Sequence, residues 1–159
     1  MKLFLTPLVA ALSLCTGILA APSKPTSGLV AGVEWTIKDL KRPCDGSDSK
    51  CDWSFKVNEG AGDIECKHTV NRSGNTPASQ IPKSGESQCK SYTVTSGWNK
   101  GGWTTLSVKR KDKDKCLIIW PSYTDNELRG GKVAATKKFQ PKRDNYDVRE
   151  NHVNSEPVG

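Results

Sequence analysis

Histidine is scarce in this 159-residue chain: His68 and His152 are the only two. Proton transfer and metal binding therefore have few side chains to draw on. His68 falls in an expected strand two residues from Cys66, and His152 falls in a polar tail. Cys66-x-His68 lacks further ligands at metal spacing, and a nucleophile pair of Cys116 with His68 competes with the structural use that secreted cysteines usually have. The acid pairs Asp63/Glu65 and Asp112/Asp114 each alternate onto one strand or turn face, the pattern of a solvated surface rather than of glycoside hydrolysis. No catalytic residue, metal or cofactor is assigned, and the chain is read as not an enzyme.

Long apolar runs are missing as well, with one exception. Met1-Lys2 leads into Leu3 to Leu19, which is followed by the small residues Ala20 and Ala21. A charged start, a short apolar middle and a small cleavage position predict a signal peptide over 1–20. At roughly 17 residues, with Thr6, Pro7, Ser13 and Thr16 inside, the run is marginal for spanning a bilayer of about 30 Å. The mature chain is expected to be secreted and extracellular, with no membrane span and, by location, no nucleic-acid partner.

Helical periodicity is the third absence. Val33, Trp35 and Ile37 alternate with polar neighbours, as do Trp53, Phe55 and Val57, which predicts strands with one buried face. Further strands are expected at 63–70, 89–96, 103–110, 116–123 and 132–139, separated by turn-rich segments. Seven short strands with no helical run between them predict an all-β antiparallel sandwich or small barrel over 33–140. Residues 21–32, rich in Pro, Ser and Gly, read as a flexible lead, and 141–159 as a disordered polar tail.

What is present divides unevenly by charge. Residues 21–108 carry 11 Lys/Arg against 9 Asp/Glu, residues 109–143 carry 11 against 4, and 144–159 carry 1 against 4. The basic excess thus sits in one stretch, centred on Lys109, Arg110, Lys111, Lys113 and Lys115. Either it is a solvated hairpin connection, or it contacts an acidic partner, which outside a cell means an anionic polysaccharide, phospholipid headgroups or an acidic protein. Trp35, Trp53 and Trp103 are expected in the core, in phase with their strands. Trp98, among Gly97, Gly101 and Gly102, is expected to be the exposed indole.

Five cysteines remain after cleavage, so at least one is left over within a monomer. Sequence alone leaves the pairing open. Cys44 and Cys51 could close a hairpin, and Cys66 and Cys89 lie in consecutive strands where a bridge closing some 20 residues would contribute roughly 3 kcal/mol. Cys116 is then the odd thiol, either a buried free cysteine or an intermolecular link. Asn71-Arg72-Ser73 is a glycosylation sequon that opens the 17-residue segment 71–87. That segment has no apolar periodicity and is expected to be a surface loop, either a contact element or a tolerated insertion carrying a glycan on Asn71.

The stretches Trp35-Thr36-Ile37, Cys51-Asp52-Trp53-Ser54-Phe55, Pro77-Ala78-Ser79 and Tyr92-Thr93-Val94-Thr95-Ser96-Gly97-Trp98 resemble small cysteine-containing secreted proteins of filamentous ascomycete fungi. So do Thr104-Thr105-Leu106-Ser107-Val108 and Pro121-Ser122-Tyr123-Thr124-Asp125. The resemblance runs from about Val33 to Lys132. It implies four ordered cysteines, matching Cys44, Cys51, Cys66 and Cys89, with Cys116 outside the pattern. It also implies an effector, a protein released to alter a host, and it transfers no catalytic residue. The expected function is a monomeric, non-enzymatic virulence protein that impairs a host apoplastic protein, with a papain-like defence protease as the first candidate. A cell-wall polysaccharide binder using Trp98 and the 109–115 cations, and a structural protein of the fungal surface, are the alternatives.

Overall fold

The computed structural model describes residues 28–112 and 115–144. Ten strands are present among the described residues: β1 Trp35–Lys41, β2 Lys50–Asn58, β3 Asp63–Asn71, β4 Ser87–Cys89, β5 Tyr92–Asn99, β6 Trp103–Asp112, β7 Lys115–Ile119, β8 Ser122–Thr124, β9 Lys137–Phe139 and β10 Lys142–Arg143. They form two antiparallel sheets, β3-β2-β1-β9 and β10-β7-β6-β5-β4, with β8 also paired to β6. The result is a sandwich rather than a closed barrel.

Alternation builds the core. Trp35 and Ile37 from β1, and Trp53, Phe55 and Val57 from β2, face Tyr92 and Val94 from β5 and Leu106 and Val108 from β6. Trp35 meets Tyr92 edge to face at 5.5 Å between centroids, the geometry that the ring quadrupoles favour. The two-residue period breaks once in β1, where Asp39 takes a φ of 52° and the register with β2 shifts between Lys38 and Lys41. That bulge turns Leu40 inward, where it is fully buried.

Cys44 is joined to Cys51, and Cys66 to Cys89. The second bridge ties β3, an edge of one sheet, to β4, an edge of the other. At the opposite seam only Gln140-Pro141 separates β9 from β10, so the chain itself links the two sheets there.

Several boundaries differ from those expected. The strand expected at 116–123 is broken at Pro121, which has no N–H for the ladder; its carbonyl accepts from the Leu106 N–H at 2.8 Å. The strand expected at 89–96 is divided by Lys90 at φ 51° into β4 and β5. Of 132–139, only 137–139 is a strand. A short helix, α1 Asp125–Leu128, follows β8. Its capping box has the Thr124 hydroxyl accepting from the Glu127 N–H, and Glu127 Oε2 accepting from the Thr124 N–H.

Part of each expected flexible terminus is also ordered. β10 lies within 141–159 and pairs with Leu117 and Ile118. Val30 N–H donates to the Pro141 carbonyl and Arg143 N–H to the Gly28 carbonyl, so two polar segments satisfy each other's backbone groups. The expected signal peptide and the remainder of the tail, His152 included, lie outside the described residues.

Candidate binding surface

The basic run does not act as one patch. Successive residues of β6 point to opposite faces, so Lys109 and Arg110 part company. Arg110 turns toward the sandwich interior, pairs with Glu59, and lies 5.5 Å from the Trp35 ring centroid. Tyr92 also donates to Glu59, and burial followed by that carboxylate pushes the Tyr92 hydroxyl well above its ordinary pKa. Lys109 faces outward and pairs with Asp144, whose hydrogen bond holds the ammonium pKa above its usual range. Lys111 is exposed and stands opposite Cys116. Lys115 opens β7 opposite Asp112, and Lys113 lies outside the described residues.

Trp35 and Trp53 are buried as expected, but Trp98 and Trp103 exchange the places expected for them. Trp103 is 42 % exposed, because Thr104, Leu106 and Val108 hold the inward phase of β6 and leave 103, 105 and 107 outward. Its ring lies over Gly101, where an added Cβ would come within 2.0 Å of a ring carbon. Trp98 is half-buried. Its Nε1 donates to Asp125 Oδ2 at 3.1 Å, and Asp125 Oδ1 stands 3.9 Å from the buried guanidinium of Arg42. Arg42 donates to Thr104 Oγ1 and the Ser79 carbonyl and sits 5.3 Å over Trp53, so Trp98 belongs to a polar clamp between the sheets. Trp120, to which no role was assigned, is 46 % exposed, with Lys142 Nζ 5.9 Å from its ring centroid.

The segment 71–87 departs further from expectation. Ala78, Ile81 and Ser84 are buried. The Ala78 N–H donates to the Asp48 carbonyl and the Ser79 N–H to the Asp48 carboxylate, while the Ile81 carbonyl accepts from Trp98 N–H. The segment is a strap against both sheets rather than a free contact loop, and its lack of periodicity reflects an irregular path. Asn71, the sequon residue, is exposed at the end of β3.

His68 is 1 % exposed. Its Nδ1 lies 2.8 Å from Ser87 Oγ, and its Nε2 lies 3.1 Å from both Ser96 Oγ and Ser84 Oγ. Burial pushes its pKa down from 6.5 to about 4. Both ring nitrogens are occupied in this internal cluster, which pins the strap to β3 and β5. Cys116 carries a free, half-buried thiol on β7. Among the described residues the one cluster of possible metal ligands is Cys44, Asp48 and Cys51. Both of its sulfurs are consumed in the disulfide, and Asp48 is engaged by Ser79.

The two outer faces are chemically unlike. On the β1–β3 side, cations and carboxylates alternate and neutralise each other, with Lys38–Asp63 at 2.9 Å and Lys56–Asp39 at 2.8 Å. On the other side, the outward positions of β5, β6 and β8 carry hydroxyls, Trp103, Lys109 and Lys111 and no carboxylate.

The profile of the family described as Effector TSP1 matches residues 36–155. A curated relative, "Effector TSP1" of Hypocrea virens (strain Gv29-8 / FGSC 10586), is 38 % identical over 135 residues, covering 80 % of this chain and 88 % of that one. The chain belongs to the Effector TSP1 family. Membership points to a secreted fungal effector, in keeping with the resemblance carried by the Trp, Cys and Ser/Thr stretches. Sequence reasoning missed the outer face of this family member because it sought one exposed tryptophan in a glycine-rich turn. The available signal was the unbroken alternation Trp103-x-Thr105-x-Ser107-x-Lys109-x-Lys111.

Proposed function

We propose that this protein is a non-enzymatic effector that acts outside the fungal cell by binding and impairing a host extracellular protein. Membership of the effector family over residues 36–155 carries the reading. Two further features support it. His68, the only described histidine, is enclosed by serines instead of facing a cleft. Two sheets joined by a disulfide and a bonded strap form a stiff scaffold, and a stiff scaffold loses little conformational entropy when its surface docks. Defence proteases of the papain-like class are the first targets to examine, since blocking a hydrolase requires only a rigid surface held at its cleft.

The test is capture from host apoplastic fluid by the immobilised mature protein, with cysteine-protease activity profiled on the same fluid. Specific retention of a protease and a dose-dependent fall in its activity are expected. Retention of some other host protein would keep the binding role and remove the protease. Failure to retain any host protein would overturn the proposal.

A further inference from the structure

The outer face of the β5–β6–β8 sheet carries the exposed Trp103 and continues to the neighbouring Trp120 and Lys142. Register places these groups on one side. Lys109 stands opposite Ile118, and Ile118 opposite Lys142, and directly paired residues of antiparallel strands project from the same face. Ile118 is buried yet lies outside the main core cluster, as an outward residue would. The closeness of Lys142 Nζ to the Trp120 ring puts that indole on the same side. Because the Pro121 carbonyl accepts from Leu106 and Ser122 pairs with Thr105, Trp120 stands beside Ser107. That is four positions from Trp103, about 13 Å along the strand at ~3.3 Å per residue.

Three chemistries are laid out along this face. The two indoles offer apolar faces and are too far apart to form one apolar patch. The Thr105 and Ser122 hydroxyls between them lie 2.7 Å apart and can each take a further hydrogen bond. Beyond Trp120, Lys111 and Lys142 add positive charge; the carboxylate on this face, Asp144 just past β10, is taken up by Lys109. A protein partner is best met by a contiguous, desolvated apolar centre, which is lacking here. A chain of sugar rings has the complementary pattern, with C–H faces for the indoles, hydroxyls for Thr and Ser, and carboxylates for lysine if the sugars are uronates.

We infer that this face binds an anionic, uronate-type polysaccharide, with Trp103 and Trp120 as stacking platforms and Lys111 and Lys142 as charge partners. Such a contact would hold the protein at an acidic wall polymer, and it does not depend on which host protein is impaired.

Affinity electrophoresis of the mature protein through gels containing polygalacturonate tests the inference without any host protein present. Neutral β-glucan and polyglutamate serve as controls for sugar without charge and for charge without sugar. Polygalacturonate is expected to retard the protein more than either control. The Trp103→Ala/Trp120→Ala double variant should bind at least tenfold more weakly, and Lys111→Glu/Lys142→Glu should weaken binding and flatten its salt dependence. Trp103→Tyr, which keeps an aromatic face, should retain most of the binding, and an unchanged melting temperature in each variant shows that the fold is intact. No retardation by polygalacturonate, equal retardation by polyglutamate or β-glucan, or undiminished binding by the folded double variant would each overturn the inference.

Discussion

Arg110 and Glu59 form an ion pair across the two sheets, with Tyr92 donating to the same carboxylate and the guanidinium resting against Trp35. Arg110 is 23 % and Glu59 17 % exposed at the side chain, so neither partner is well solvated. Removing one would strand the other's charge in a half-buried site. Arg110→Ala is expected to destabilise by about 2 kcal/mol, whereas the exposed Lys111→Ala should stay within about 0.5 kcal/mol of the parent. Denaturant titration of the two variants measures the contrast, and equal stabilities would remove Arg110 from its structural role.

His68 makes stability depend on acidity. Its folded pKa, pushed down to about 4 by burial, lies below the ordinary 6.5, so the folded state resists protonation that the unfolded chain accepts. The neutral ring's contribution is fully present above pH 6.5 and is lost as pH falls from 6.5 through 4, to a total of about 3 kcal/mol. Asp45, held near a pKa of 2 chiefly by the Ser49 hydroxyl, and Glu127, held below its ordinary 4.5 chiefly by the Thr124 N–H, lose their contributions below about pH 5 and leave the range from pH 7 to 5.5 to His68. Between pH 7 and 5.5 the unfolding free energy should fall for the parent and stay nearly flat for His68→Asn. Parallel profiles would show that the ring is not the titrating group.

The strap over 71–87 should not tolerate shortening. Replacing residues 75–85 with a Gly/Ser linker would remove the buried Ala78, Ile81 and Ser84 and free Asp48, His68 and the Trp98 N–H from their partners. Ile81→Ala alone is expected to cost about 2 kcal/mol, the lower end for truncating a buried isoleucine. Thermal unfolding with both disulfides intact provides the measurement. A linker variant as stable as the parent would return the segment to the status of a free loop.

Two glycines of the β5–β6 hairpin region should respond differently to alanine. At Gly97 the new methyl would lie 2.5 Å from the Pro82 carbonyl oxygen, a backbone atom held in place by the strap. At Gly101 it would meet the Trp103 ring, which can swing away. Gly97→Ala is therefore expected to lower the melting temperature by several degrees, with a cost of about 1–3 kcal/mol. Gly101→Ala should cost less and instead shift tryptophan fluorescence toward a wetter environment. The opposite ranking would mean that the strap, not the indole, is the part that yields.

Much of the architecture was legible. The period-two alternation of Trp35-Ile37, Trp53-Phe55-Val57 and Leu106-Val108 marks buried faces, because a strand's side chains point alternately up and down wherever it lies. The α1 cap was also open to reading, since Thr124-x-x-Glu127 is a capping box in its own right. Period alone was less safe at Trp103, whose inward or outward choice depends on which neighbour's phase the sheet adopts.

Local order along the chain, through alternation, turn residues and cysteine spacing, determined by itself that this protein is built of short antiparallel strands; that they form a sandwich and not a barrel was decided by the tertiary structure. These signals act between residues close in sequence, and backbone geometry converts them directly into strands and turns. Only the tertiary structure decided that Arg110 would leave its basic neighbours for Glu59, that an aperiodic segment would become a strap, and that Trp103 would stay in solvent while Trp98 was bound to Asp125. Each of these outcomes depends on a partner 12 to 51 residues away. No local pattern encodes such a distance; it is set when two sheets close over one core and every buried polar group must find a partner from whatever the fold brings near.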